Sequence, residues 1–121
     1  MAADQKHVLI IEDEKPLAHA LELKLQHEGF TTTVAHNGQE GVDLFSSGDF
    51  AVVLLDLMMP VMDGFQVLEA FKQSGKSATV FVLSNLSQRE DEQKVLSLGA
   101  SKYFIKSDTP LSVIVDEVKQ A

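Results

Sequence analysis

Apolar and β-branched residues along this chain gather in short runs, separated by longer stretches in which they recur at helical spacing. The runs are residues 7–11, 31–35, 51–55, 78–83 and 102–105; the helical stretches lie near 15–28, 38–47, 64–74, 88–98 and 110–120. Strands alternating with helices predict βα units, a parallel sheet and helices on both its faces. Ala51–Leu55 is apolar throughout and Ala78–Leu83 is apolar but for Thr79, which predicts central strands buried on both sides. The threonine-rich Thr31–Ala35 is expected at an edge.

Boundary residues agree with this division. Pro16 and Pro110 sit near the starts of the first and fifth helices, where a missing N–H costs nothing. Gly29 and Gly99 fall where the first and fourth helices should stop in a left-handed residue. Asn37-Gly38 and Asp63-Gly64 mark turns, and Asp108 or Thr109 is expected to cap the fifth helix. The first helix carries Leu17, Ala18, Ala20, Leu21, Leu23 and Leu25, more apolar residues than one buried stripe needs. The surplus implies either extra core contact or a face for a partner.

Length and composition narrow the class. The 121 residues suit one domain spanning 1–121, with residues 1–6 as a flexible N-terminal tail. A hydrophobic content of 45% suits a packed core. The absence of cysteine excludes disulfides, thiolate nucleophiles and thiolate metal sites. No apolar run approaches the roughly 18 residues of a membrane span, and the polar start lacks a signal-peptide layout. Together these features point to the cytoplasm and away from membranes. The net charge of −8, with Arg89 as sole arginine, argues against direct nucleic-acid binding. His7, His19, His27 and His36 form no metal-ligand spacing.

The strand ends carry the chemistry. Glu12-Asp13-Glu14 follows the first strand, Asp56 the third, Ser84 the fourth and Lys106 the fifth. Right-handed crossovers bring these ends to one rim of the sheet, where open α/β folds bind ligands. Carboxylates crowded there repel one another unless a cation or a reaction requires them. Asp13 and Asp56 suit Mg²⁺, which takes a few carboxylates plus water. A carboxylate can also serve as the nucleophile of an aspartyl phosphate. Lys106 supplies a compact cation for phosphoryl oxygens, and Ser84 a hydroxyl donor.

With those residues in place, four stretches, Val8–Glu14 (VLIIEDE), Leu54–Gly64 (LLDLMMPVMDG), Val82–Ser84 (VLS) and Gly99–Lys106 (GASKYFIK), make the chain resemble a response-regulator receiver domain over essentially its whole length. The resemblance implies a flavodoxin-like, doubly wound five-stranded sheet of order 2-1-3-4-5 with five helices. It implies Asp56 as phosphoacceptor, Asp13 as direct Mg²⁺ ligand, Glu12 acting through water, and the Met58 backbone carbonyl completing the protein ligands. Lys106 would contact the phosphoryl group. Ser84 would be the switch hydroxyl, and Tyr103 the switch aromatic that packs inward when Ser84 moves toward the phosphate. The implied phosphodonor is a phosphohistidine on a sensor kinase or phosphotransfer protein. The implied output is protein binding through the fourth helix, fifth strand and fifth helix, with a homodimer as one outcome, and the chain would be a switch rather than an enzyme.

Two positions depart from the family's habit, and two more flank the site. Ser107 follows Lys106 where receivers usually have proline after a cis bond, so either the bond is trans and the loop differs, or strain is held there. Asn85 stands where a small residue is usual and is expected to narrow access to the site. Met58 and Leu86 flank the site with apolar groups that cannot orient water, which predicts slow self-dephosphorylation. Two rivals belong to other classes. An aspartyl phosphatase of the haloacid dehalogenase type wants an aspartate where Met58 stands. An FMN-binding flavodoxin wants a Ser/Thr/Gly phosphate loop where Glu12-Asp13-Glu14 stands. A third reading makes the chain the receiver piece of a longer regulator.

Overall fold

The computed structural model describes residues 6–85 and 89–121. The chain alternates β1 (His7–Ile11), α1 (Lys15–His27), β2 (Thr31–Ala35), α2 (Gly38–Ser47), β3 (Val52–Asp56), α3 (Gly64–Ser74), β4 (Thr79–Ser84), α4 (Arg89–Ser97), β5 (Lys102–Ile105) and α5 (Leu111–Gln120). All neighbouring strands are parallel, in the order β2-β1-β3-β4-β5. The doubly wound fold expected from the alternation is the one observed. Apart from Lys6, the flexible tail expected over residues 1–6 lies outside the described residues.

Strand pleating sorts the core into two layers. Leu9, Ile11, Val53, Leu55, Val80 and Val82 point to one face, where Phe45 of α2, Val67, Leu68 and Phe71 of α3 and Val95 of α4 cover them. The alternate residues Val8, Ile10, Val52, Leu54, Phe81 and Leu83 meet Ala18, Leu21 and Leu25 of α1 and Ile114, Val115 and Val118 of α5. Strands buried on both faces explain why β3 and β4 read as continuous apolar runs. Each large aliphatic side chain withdrawn from water contributes roughly 1.5–3 kcal/mol before entropy is charged against it.

Helix starts are set locally. Asn37 caps α2 by accepting from the Glu40 amide, and Asp63 with Gln66 forms a reciprocal capping box on α3. Gly29 and Gly99 take the left-handed conformation, with φ of 94° and 109°. The cap expected of Asp108 or Thr109 is corrected. Lys106–Asp108 form a 3₁₀ turn, and Pro110 occupies the α5 N-cap position without a side-chain bond. A cap at Asp108 would need Thr109 helical, but the residue before proline is pushed to extended backbone, and Pro110 is itself extended at ψ 149°, so the helix begins at Leu111. The Lys106–Ser107 bond is trans, since no described peptide bond is cis, and the loop differs through this 3₁₀ turn.

The α1 surplus is divided between core and surface. Ala18, Leu21 and Leu25 are buried, whereas Leu23 is 53% exposed. Leu23 lines a groove of about 320 Å³ with Val115 and Asp116 of α5. An ion pair between Lys119 and Glu28, 2.8 Å long, links the two helices beside it.

Candidate functional site

Two strands deliver chemistry in their last residue. β3 closes on Asp56 and β4 on Ser84, each one position later than the apolar runs alone indicate. Ladder register places Asp56 opposite Leu83 and Ser84 opposite Ile105, so Lys106 follows directly at the same rim. β1 ends at Ile11, and Glu12 continues the pattern by donating its amide to the Ala35 carbonyl at 3.0 Å. The rim lies where β1 turns out to both β2 and β3, the switch point at which such sheets bind ligands.

Glu12, Asp13 and Asp56 converge, with one carboxylate oxygen from each lying within 4.8 Å of the others. Glu12 is 1% exposed and Asp56 3%, an unusual depth for two carboxylates side by side. Burial, then the charge of Glu12, push the Asp56 carboxyl up to about 8, while Lys106 pulls the other way. That proton belongs to the carboxylate cluster as a unit. The Lys106 ammonium lies 2.9 Å from Glu12 Oε1, 2.9 Å from Glu14 Oε2 and 3.2 Å from Asp56 Oδ1. Burial disfavours its charge, but its contacts with Glu12 and Glu14 and the charge of Asp56 outweigh that and raise its pKa. Lys106 is therefore a fixed cation.

A single ammonium leaves this cluster under-compensated. Glu12 Oε1 is buried, and its contact is the ion pair with Lys106 at 2.9 Å, with no further hydrogen-bond donor supplied among the described residues. An all-oxygen donor set with an orphaned buried oxygen fits a hard divalent cation such as Mg²⁺. Met58 donates its amide to Asp56 Oδ1 at 3.3 Å and turns its side chain outward, 58% exposed.

Gly64 holds the β3–α3 loop against the site. Its amide donates to the Leu57 carbonyl at 2.8 Å, and a Cβ there would stand 2.7 Å from Leu57 Cα and 2.9 Å from the Asp56 carbonyl oxygen. Only glycine allows that approach.

Ser84 is fully buried, and its side chain is hydrogen-bonded to the phenol of half-buried Tyr103. Tyr103 packs against the core layer beneath α4. Burial raises its pKa, with Asp91 and Glu92 of α4 adding to the effect, so the phenol keeps its proton. Glu12, Asp13, Asp56, Met58, Ser84 and Lys106 thus lie at one rim, while Tyr103 sits further down β5, paired with Val82. Asn85 is exposed beside them, and Leu86 lies outside the described residues. The contact of Glu14 with Lys106 was not anticipated; the third carboxylate of the Glu12-Asp13-Glu14 run was its sole trace in the sequence.

The family model for the response regulator receiver domain matches residues 8–117. The transcriptional regulatory protein YkoG of Bacillus subtilis is 36% identical over 103 residues, covering 85% of this chain and 45% of that protein. The chain thus spans about half the length of the curated relatives it matches. A Francisella response-regulator receiver domain superposes with a TM-score of 0.90 at 28% identity, covering 96% of this chain and 95% of that one. TrrA of Thermotoga maritima, solved with Mg²⁺ and BeF, gives 0.84 at 28% identity, with 96% and 98% coverage. A family match over nearly the whole chain, on a fold whose carboxylates and lysine meet at one rim, shows that this chain belongs to the response-regulator receiver domains.

Proposed function

We propose that Asp56 is the phosphoacceptor of this receiver and that its phosphorylation switches a protein-binding surface. The observation carrying this reading is the convergence of Asp56, Glu12 and Asp13 around one buried lysine, with the Glu12 oxygen unsatisfied. A carboxylate oxygen of Asp56 attacks phosphorus, the donor's phosphorus–nitrogen bond breaks, and the leaving imidazole keeps the electron pair. Asp13 and Asp56 would hold Mg²⁺ directly, Glu12 through water, with the Met58 carbonyl completing the set. When bound, the ion supplies charge neutralisation for the phosphoryl oxygens. Lys106 neutralises a further oxygen from within hydrogen-bond reach of Asp56. The TrrA complex with Mg²⁺ and BeF, on a similar fold, supports this assignment.

The Ser84 hydroxyl and the Tyr103 phenol are the switch. Drawing Ser84 toward the phosphoryl group breaks its bond to Tyr103 and frees the ring to repack against the core layer it already touches. Shifting a two-state loop from 1:99 to 99:1 needs about 5.5 kcal/mol. A few charge-assisted hydrogen bonds at roughly 1.5–3 kcal/mol each reach that sum. The output face is α4–β5–α5, which carries exposed Leu96 and Val113. A sensor kinase or phosphotransfer protein is the donor. A homodimer or another protein is the partner on the output face.

The chain acts as a switch that turns over no external substrate, in the cytoplasm, as one receiver unit over residues 1–121. No helix among the described residues is long and apolar enough to cross a membrane. Because the relatives are about twice as long, a receiver within a longer regulator is the second reading. Any DNA contact in such a regulator would come from outside this acidic chain. Incubation with Mg²⁺ and acetyl phosphate, with an Asp56→Asn control, tests the acceptor assignment: wild type alone must gain the phosphoryl group.

A further inference from the structure

Glu14 occupies the N-cap position of α1, yet its side chain makes no capping bond. It crosses the rim instead and accepts a 2.9 Å hydrogen bond from the Lys106 ammonium. The Glu14 amide meanwhile donates to Glu12 Oε2 at 3.1 Å, and Glu12 Oε1 faces Lys106 at 2.9 Å. Glu12, Lys106 and Glu14 thus close a ring. Lys106 has three N–H donors, and three carboxylates, those of Glu12, Glu14 and Asp56, surround it within 3.2 Å. Lys106 is the cation that a phosphoryl group on Asp56 has to recruit. Among the three, Glu12 and Asp56 are buried, whereas the Glu14 side chain is 57% exposed and has water to return to.

We propose that Glu14 is a positioning residue that holds Lys106 in a resting place and must release it as the phosphoryl group arrives, slowing phosphorylation of Asp56. This rests on the receiver reading and adds to it a built-in brake. Replacing Glu14 frees one ammonium donor without disturbing the buried carboxylates. An exposed ion pair carries little energy, so the gain is modest, about two- to fivefold in rate. Because it is electrostatic, the gain shrinks as ionic strength rises.

The test times Asp56 phosphorylation by acetyl phosphate with Mg²⁺ in wild type, Glu14→Gln, Lys106→Ala and the double variant. Glu14→Gln is expected to react two- to fivefold faster than wild type at low salt, and near the wild-type rate at high salt. In the Lys106→Ala background the same change is expected to do nothing, because Glu14 acts through Lys106. Equal or slower reaction of Glu14→Gln overturns the proposal. So does the same speed-up without Lys106, which would mark Glu14 as a rim charge that merely repels the donor. Should Lys106→Ala react too slowly to time, the Lys106 ammonium NMR signal decides: it must move in Glu14→Gln, and an unmoved signal refutes the contact. Failure of wild type to take up phosphate at all is a separate result; it removes the receiver reading and this brake with it.

Discussion

Asp56 is a carboxylate whose surroundings oppose its charge until a cation is bound. Its pKa is raised to about 8 in the fold, chiefly by burial and then by Glu12. Between the ordinary carboxylate value near 4 and about 8, the folded state holds a proton the unfolded state has released, so stability falls as pH rises through that window. Asp56→Asn removes the penalty. Without Mg²⁺ it is expected to stabilise the protein by about 1–3 kcal/mol at pH 8, the scale of a poorly compensated buried polar group, and to change little near pH 4. Urea unfolding at the two pH values checks this; an equal gain at both would refute the electrostatic cause. Met58 belongs to the same scale. Its apolar side chain lies exposed two residues past Asp56, where it cannot orient an attacking water. Met58→Asn is expected to shorten the phosphoryl lifetime several-fold, read by loss of label after donor removal, and an unchanged lifetime counts against that role.

At the level of elements, the rim depends on how β3 hands over to α3. Gly64 lies against the Asp56–Leu57 backbone with no room for a Cβ. Gly64→Ala is expected to cost about 1–3 kcal/mol in urea unfolding, since the obstructing atoms are mainly backbone. Within the same loop Val61 is 92% exposed at φ 70°, where a β-branched side chain is strained. Val61→Asn is expected to raise stability by up to about 1 kcal/mol, because asparagine tolerates that conformation. Element types were legible in the sequence because the central strands are buried on both faces and the helices on one, whereas the 2-1-3-4-5 order followed from the resemblance to receiver domains. The α5 start was not: Asp108 and Thr109 are good capping residues, and only the trans Lys106–Ser107 loop with its 3₁₀ turn shows why neither caps. Nor did the first helix declare which of its leucines face out. Leu23 and Leu25 are alike in type, but Leu25 joins Ala18 and Leu21 on the stripe against the sheet, while Leu23 falls off it and lines the groove beside α5.

For the whole molecule, the sheet collects residues from four distant segments into one cluster, and the identity of those residues was readable from strand ends alone. Their charge balance was not, because it depends on distances: the carboxylates of Glu12, Asp13, Glu14 and Asp56 share one ammonium. That imbalance gives the proposed Mg²⁺ site to the folded state alone. At about 100 times its dissociation constant, the ion is expected to add about 2.7 kcal/mol of stability. Thermal melts with and without Mg²⁺ should show the gain in wild type and lose most of it in Asp13→Asn; equal gains in both proteins would place the ion elsewhere. The surface already carries a net charge of −8, so phosphorylation is tolerated only through local cations. The central claim, that Asp56 accepts a phosphoryl group, is tested most directly by intact-mass measurement after incubation with acetyl phosphate and Mg²⁺. Wild type should gain the mass of one phosphoryl group, while Asp56→Asn and the Mg²⁺-free sample gain none. A wild type that stays unmodified, or an Asp56→Asn variant modified to the same extent, would contradict it.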